Sequence, residues 1–259
     1  YSLLGLQLAF MLNAVVMIVL GVLTWFTLPR KTLLKSSGNR RSATKEVLAG
    51  MKVTLRLPEI WLAGAVGFCV YFIYTALPFF VTYLNDLYVL PALAISIFGI
   101  ASTSGGRISA ALPSGFVADR YLGGPSSGMG AASFVIIFLA LAMTALPESS
   151  ASMWPAILLM VAIAFLIFFM RALYFAPFGE MGLPPRFSGS VIAIAAFIIY
   201  LPTSFAYLLW GLILDNNEGG VGYRYMFAAL SAIALIGWLL ARQLNKRIND
   251  GAAKRIAAK

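Results

Sequence analysis

Two arginines, Arg107 and Arg171, stand inside long apolar stretches. A cation at the centre of a bilayer costs ~2.5–3.5 kcal/mol even on the lenient insertion scale, so each must face water, a counter-charge or a ligand. Arg107 lies 12 residues before Asp119, which at ~1.5 Å per residue sets it roughly 18 Å along a helix from that acid. Ser96, Gly99, Thr103, Arg107, Ala110 and Ser114 recur at helical spacing and give one small, polar stripe. Two readings fit Arg107: a guanidinium holding backbone carbonyls of a neighbouring broken helix, or a contact to an anionic solute, which we favour. Arg171 precedes Pro177 by six residues and shares a face with Ala164, Ile167 and Tyr174. It either snorkels to the interface or acts with Tyr174 on one ligand.

Aromatic residues fall on matching faces. Gly64, Gly67, Tyr71, Tyr74 and Pro78 form one stripe; Phe197, Tyr200, Ser204 and Tyr207 form another. Such stripes either pack a helix bundle or, in a cavity, supply hydroxyls and flat walls. The candidate solute contacts are therefore Arg107, Arg171, Tyr71, Tyr74, Tyr174, Tyr200 and Ser204, and the charge of the two arginines calls for a small, anionic solute.

Other chemistry is excluded by what is missing. The chain has no histidine and one cysteine, Cys69, so His/Cys metal sites, Ser-His-Asp triads, Cys-His pairs and disulfides are unavailable. All nine carboxylates fall at the ends of apolar stretches, in loops or in the tail. No carboxylate pair at membrane depth and no nucleophile beside a base is present, so no catalytic residue, metal or cofactor is expected and the chain does not read as an enzyme.

The elements that position these residues follow from composition. Of 259 residues, 61% are hydrophobic and 11% charged, against roughly 45–50% and 25% in soluble domains. Seven stretches, at 1–29, 60–84, 92–118, 129–146, 153–178, 188–214 and 224–243, can each fill a hydrocarbon core ~30 Å thick. The fold class is all-α, a polytopic membrane protein of seven transmembrane helices. The net charge of +10 does not indicate nucleic acid, because 16 of the 19 basic residues fall on one side of the alternating loops. The positive-inside bias makes that side cytoplasmic, with the chain's N-terminus outside and its C-terminus inside. Residues 30–59 shift abruptly to Lys, Arg, Ser, Gly and Asn and read as a basic cytoplasmic linker. Within it, Leu48, Met51 and Leu55 suit a short helix on the inner surface or an ordinary solvated turn. The organisation is thus one helix over 1–29, the linker, a six-helix unit over 60–245 and a basic tail over 246–259.

The six helices divide into two triples, the pattern of a three-plus-three inverted repeat. In each, the third member, 129–146 or 224–243, is the most uniformly apolar and suits a lipid-facing place. The other four carry interior Pro and polar residues, among them Pro78, Pro113, Pro177 and Pro202.

Two cytoplasmic turns add motifs. Gly115-x-x-x-Asp119-Arg120 closes one span, and Glu180-x-x-x-Pro184-x-Arg186-x-x-Gly189 joins two others. With the linker, spans and orientation, these resemble the C-terminal half of a major facilitator superfamily carrier preceded by the last helix of its N-terminal half. The resemblance implies alternating-access secondary transport in the inner membrane, with the N-terminal half as the missing partner that supplies the other cavity wall. It also implies a conformational latch of Gly115, Asp119, Arg120, Glu180 and Arg186, in which Asp119 faces the N-terminus of a neighbouring helix. The chain departs from that pattern at Pro125, Ser126 and Ser127, where further basic residues are usual. The run from Arg171 to Ala176, with Glu180, Pro184, Arg107 and the Gly211–Asp215 turn, is similar to nitrate/nitrite porters and organic-anion carriers of bacteria. A seven-helix receptor or a channel is the alternative; no predicted span holds a Lys for a retinal Schiff base.

The topology has a direct check. With Cys69 replaced, a cysteine at Ser37 reacts with an impermeant maleimide only from the cytoplasm, and one at Ser150 only from outside; labelling of Ser37→Cys in intact cells reverses the orientation.

Overall fold

A computed structural model describes residues 3–27, 52, 55–88, 90–181 and 188–257. It falls into two units, Tyr1–Leu48 and Ala49–Lys259. In the first, α1 (Leu3–Thr27) is a single apolar helix. Its Thr24 and Thr27 hydroxyls donate to the carbonyls of Leu20 and Leu23, at 2.6 and 2.8 Å, which ties their polarity to the helix's own backbone as a lipid environment requires.

The second unit carries α2 (Pro58–Tyr74), α3 (Leu77–Tyr88), α4 (Ala92–Ile100), α5 (Gly106–Tyr121), α6 (Pro125–Ala145), α7 (Met153–Leu173), α8 (Pro177–Glu180), α9 (Ser188–Tyr200), α10 (Ala206–Asp215) and α11 (Gly220–Ala257). Prolines cut three of the long helices. Pro78 cannot donate to Tyr74, four residues back, and the chain turns at Thr75 and Ala76 between α2 and α3. Pro177 does the same between α7 and α8, and Pro202 lies in a 3₁₀ turn, Leu201–Ser204, between α9 and α10. Between α4 and α5 the cause is different: a π turn, Ala101–Gly105, in which the Ser102 and Thr103 hydroxyls both donate to Gly99's carbonyl. Only α6 and α11, the third members of the two triples, are uninterrupted from end to end within this unit's spans.

The packing respects an exchange of the triples. The first helix of each triple packs on the second of the other, α2 on α9 and α7 on α5; it also packs on the third of the other, α2 on α11 and α7 on α6. The two third members, α6 and α11, make the most extensive contact of all. Without a hydrophobic drive between helices in lipid, such contacts rely on small residues and hydrogen bonds. Gly237 lets α11 approach Cys69 and Ser133, and Gly128 lies against Ala118 and Leu173. Ser133 donates to the Met170 sulfur at 3.3 Å, and Ser231 to the Ile137 carbonyl at 3.2 Å. Outward, α6 shows Phe134, Val135, Phe138 and Leu141, and α11 shows Leu235, Ile236 and Leu239, faces suited to lipid.

The expected count of seven spans is loose. Six helical stretches among the described residues are long and apolar enough to cross a membrane. The expected span 92–118 is helical throughout, as α4, the π turn and α5, yet is not one of the six; its Ser, Thr, Gly and Arg stripe dilutes its apolarity. The last span is longer than expected, because α11 carries the basic tail on to Ala257, with Arg247 3.7 Å from Glu59. Most of the linker 30–59, including most of the expected surface helix, lies outside the described residues.

Close packing at Gly67 is testable. A Cβ there would stand 2.5 Å from an Ile199 side-chain carbon, whereas one at Gly211 meets nothing within 4 Å. Gly67→Ala should cost ~1–3 kcal/mol by overpacking, seen as a lower melting temperature in detergent, while Gly211→Ala leaves it unchanged or raised.

Candidate solute site

The three proline-cut helices bring their break points together around Arg171. Its guanidinium carbon lies 3.9 Å from the Tyr74 ring centre and 5.3 Å from that of Tyr71. Tyr71 and Tyr74 occupy the last turn of α2, just before the break at Thr75. Tyr174 stands in the break after α7, and Tyr200 ends α9 where the 3₁₀ turn begins. Their hydroxyls pair at 2.8 Å. Tyr200 meets Tyr71 edge to face at 4.9 Å, and Tyr71 meets Tyr74 at 5.3 Å. One cation and four tyrosines thus form a single cluster. Cation–π contacts of this kind contribute ~0.5–2 kcal/mol each, yet an aromatic face neutralises no charge.

Arg107 is a neighbour and not a member of that cluster. Its guanidinium carbon lies 5.6 Å from the Phe168 ring, and Phe168 in turn lies 6.1 Å from Tyr74. A Cβ at Gly106 would come within 2.9 Å of Phe168, so that glycine lets α5 bring Arg107 over the ring. Arg107 is exposed on this unit, as is Ser204 in the 3₁₀ turn; Arg171 is half-buried. Among the described residues neither arginine has a carboxylate at ion-pairing distance; the pairs there are Arg224–Glu148 and Arg247–Glu59. No group of His, Cys, Asp or Glu suited to a metal occurs among them either.

Sequence reasoning missed the support beneath the cluster. Buried Thr75, in the break between α2 and α3, donates to the Phe72 carbonyl at 2.6 Å and accepts from Trp210 Nε1 at 2.8 Å. This bond fixes the break against α10. The signal was present as Thr three residues before Pro78, a hydroxyl placed where a proline frees backbone groups.

At the turns that carry the two motifs, the N-terminus of α6 is met by Glu180. The Glu180 carboxylate accepts from the Ser126 hydroxyl in the first turn of α6, and a Cβ at Gly124 would stand 2.6 Å from its Oε1. An anion is favoured there. Gly123 and Gly124 have φ of 76° and 114°, a left-handed turn for which glycine is suited. Asp119 is exposed, without an ion pair among the described residues; Arg120 is exposed and lies over Phe116 at 5.8 Å. Gly115 has open space where a Cβ would go. Arg186, with Pro184, lies outside the described residues.

Comparisons with known proteins bear on this arrangement. Residues 1–206 match the family model described as Major Facilitator Superfamily. The chain is 28% identical over 258 residues to inner membrane protein YihN of Escherichia coli (strain K12), covering 99% of this chain and 61% of that protein. It is 27% identical over 263 residues to inner membrane protein YqcE of the same organism, covering 98% and 60%. The chain thus spans about three fifths of the length of the curated relatives it matches. Among solved structures, it resembles the proton:xylose symporter XylE bound to 6-bromo-6-deoxy-D-glucose, with a TM-score of 0.59 at 18% identity over 71% of this chain and 44% of the other. The inward-open xylose transporter XylE from E. coli gives 0.55 at 17% identity, covering 75% and 47%. At such identity these likenesses speak to the fold, which is the helical bundle described above. With the family model matched over most of its length and that bundle shared with solved members, the chain belongs to the major facilitator superfamily.

Proposed function

We propose that this chain forms the C-terminal half, and the last helix of the N-terminal half, of a secondary transporter that moves a small organic anion across the inner membrane by alternating access. The observation that carries this reading is Arg171 among four tyrosines, with no carboxylate in reach among the described residues. A cation in that setting is stabilised by a bound anion through charge-assisted, in-plane hydrogen bonds. The rings supply area that a nitrate-sized ion has no use for, so the solute carries a carbon body beside its acidic group. Tyrosine hydroxyls both donate and accept, which suits hydroxyls on that body as well. XylE is described as a xylose symporter; a neutral sugar would leave the Arg171 charge unanswered, which favours the anion.

Arg107, exposed one ring away, extends the positive potential along the same wall, and Ser204 adds a hydroxyl to it. The other wall comes from an N-terminal half, reached through the basic linker 30–59, with the six-helix unit 60–245 as the C-terminal half and 246–259 as a basic tail. The chain's N-terminus is outside and its C-terminus cytoplasmic, as the basic residues require. Gly115, Asp119, Arg120, Glu180 and Arg186 serve as the cytoplasmic latch and not as solute contacts.

The test uses the protein expressed from its complete gene, reconstituted in liposomes and screened for counterflow of small carboxylates, sulfonates and phosphate esters. For the anion carried best, Arg171→Lys keeps the charge but loses the planar fork, and should weaken binding at least tenfold, about 1.4 kcal/mol. Arg107→Lys should weaken it in the same direction. Unchanged affinity for every carried anion in Arg171→Lys and Arg171→Gln would make the arginine structural and remove the case for an anionic solute.

A further inference from the structure

Away from the tyrosine cluster, the start of α2 and the far part of α11 frame a cleft of about 260 Å³. Pro58, Trp61, Leu62 and Ala65 line it on one helix, Gln243 and Arg247 on the other. Arg247 stands beside Glu59, and Gly237 beside Cys69, so the two helices run antiparallel and Ala65 lies deeper in the bundle than Arg247. The cleft is therefore aliphatic at its deep end and carries a guanidinium and a primary amide at its shallow end. Trp61 is exposed, and its Nε1 donates to the Leu55 carbonyl at 3.0 Å. That bond holds the ring as a flat wall at the level where tryptophans sit between hydrocarbon and headgroups.

The outward face of α11 repeats the gradient. At ~100° per residue, Leu235, Ile236 and Leu239 share one side of the helix with Arg242, Gln243, Lys246 and Arg247, and all seven are exposed. Hydrocarbon-facing side chains thus give way to cations along a single strip. The carboxylates nearby are Glu59 and, a turn further on, Asp250. Glu59 lies 3.7 Å from Arg247 Nη1, with both side chains partly exposed. That separation is longer than the ~2.7–2.9 Å of a charge-assisted hydrogen bond, so the Arg247 fork keeps donors for another anion.

We infer that this cleft binds an anionic phospholipid from the leaflet next to the linker and the basic tail. Its phosphate diester accepts from the Arg247 guanidinium and the Gln243 amide, with Lys246 and Arg242 adding positive charge, and one acyl chain runs inward along Leu62 and Ala65. Basic pockets between transmembrane helices recognise lipid headgroups in this way. A free phosphate would use the cations but not the apolar walls that continue from them. The chain's own linker is rich in Lys and Arg and is repelled by the same charges. This inference depends on the membrane-spanning bundle and not on the identity of the solute.

The test uses the protein expressed from its complete gene, delipidated in detergent, and counts bound lipids by native mass spectrometry as dioleoyl phosphatidylglycerol or dioleoyl phosphatidylcholine is titrated. The first phosphatidylglycerol should bind about fivefold or more tighter than the first phosphatidylcholine, the effect expected of one favourable cation at the headgroup. Arg247→Gln combined with Gln243→Leu should remove that preference. Ala65→Trp, which fills the cleft and keeps every charge, should weaken the first phosphatidylglycerol by a similar factor, and Glu59→Gln, which frees Arg247, should tighten it. Arg224→Gln, an equal loss of charge at the other end of α11, should leave the preference intact. Equal affinity for the two lipids, or a preference that survives both the double variant and Ala65→Trp, overturns the inference. So does displacement of phosphatidylglycerol by inorganic phosphate, which would make the site one for free anions. A dimer that retains no lipid and that Ala65→Trp dissolves would give the cleft to a second copy of the chain and overturn it equally.

Discussion

A guanidinium set among tyrosines, with no carboxylate at ion-pairing distance among the described residues, is the constraint around which the rest of the bundle is arranged. Rings stabilise a cation through their quadrupole and exclude water from it, yet leave its full charge uncompensated. Moving that charge out of water is costly unless an anion arrives. On the proposed reading, Arg171 calls for both a path by which an anion enters and a frame that keeps the tyrosines in place while it does. The pairing of the Tyr174 and Tyr200 hydroxyls at 2.8 Å and the Thr75–Trp210 bond provide that frame at the three break points.

Division of labour among the helices follows from the same demand. A lipid-crossing helix satisfies its backbone groups internally, so a break is tolerated only where side chains, neighbours or a wet cavity take over the freed groups. Here the breaks of α2/α3, α7/α8 and α9/α10 occur beside the polar cluster, and hydroxyls of Thr75 and Thr203 bond nearby carbonyls. The unbroken α6 and α11 face away with apolar side chains and pack on each other. Rigid elements outside and interrupted ones inside are the arrangement that the proposed alternating access calls for.

Much of this was legible in the residues, because each feature had a local cause. Pro78, Pro177 and Pro202 announce their breaks through the missing N–H, and the uniformly apolar runs at 129–146 and 224–243 announce the unbroken helices. The stripe Tyr71 and Tyr74, and the spacing of Arg171 and Tyr174, each identify one face of one helix. What a single chain segment does not encode is which faces meet. That Tyr200 reaches both Tyr71 and Tyr174, that Thr75 answers Trp210 from 135 positions away, and that Tyr223 reaches Asp86 are all products of packing between helices far apart in sequence. The same limit holds for the carboxylate at α6: Glu180 lies 54 positions from Ser126 in sequence and is brought to it in space. Span 92–118 was counted by length and pattern, while its polar stripe, the feature that makes it interesting, keeps it below the apolarity of the other six.

The central claim is that the counter-charge of Arg171 belongs to the solute. A solved structure of the complete-gene protein with its transported anion bound tests this most directly. The acidic group of that anion should lie within hydrogen-bonding distance of the Arg171 guanidinium edge, with its body against Tyr71, Tyr74 and Tyr200. A protein carboxylate paired with Arg171, and the solute bound elsewhere, would contradict the account.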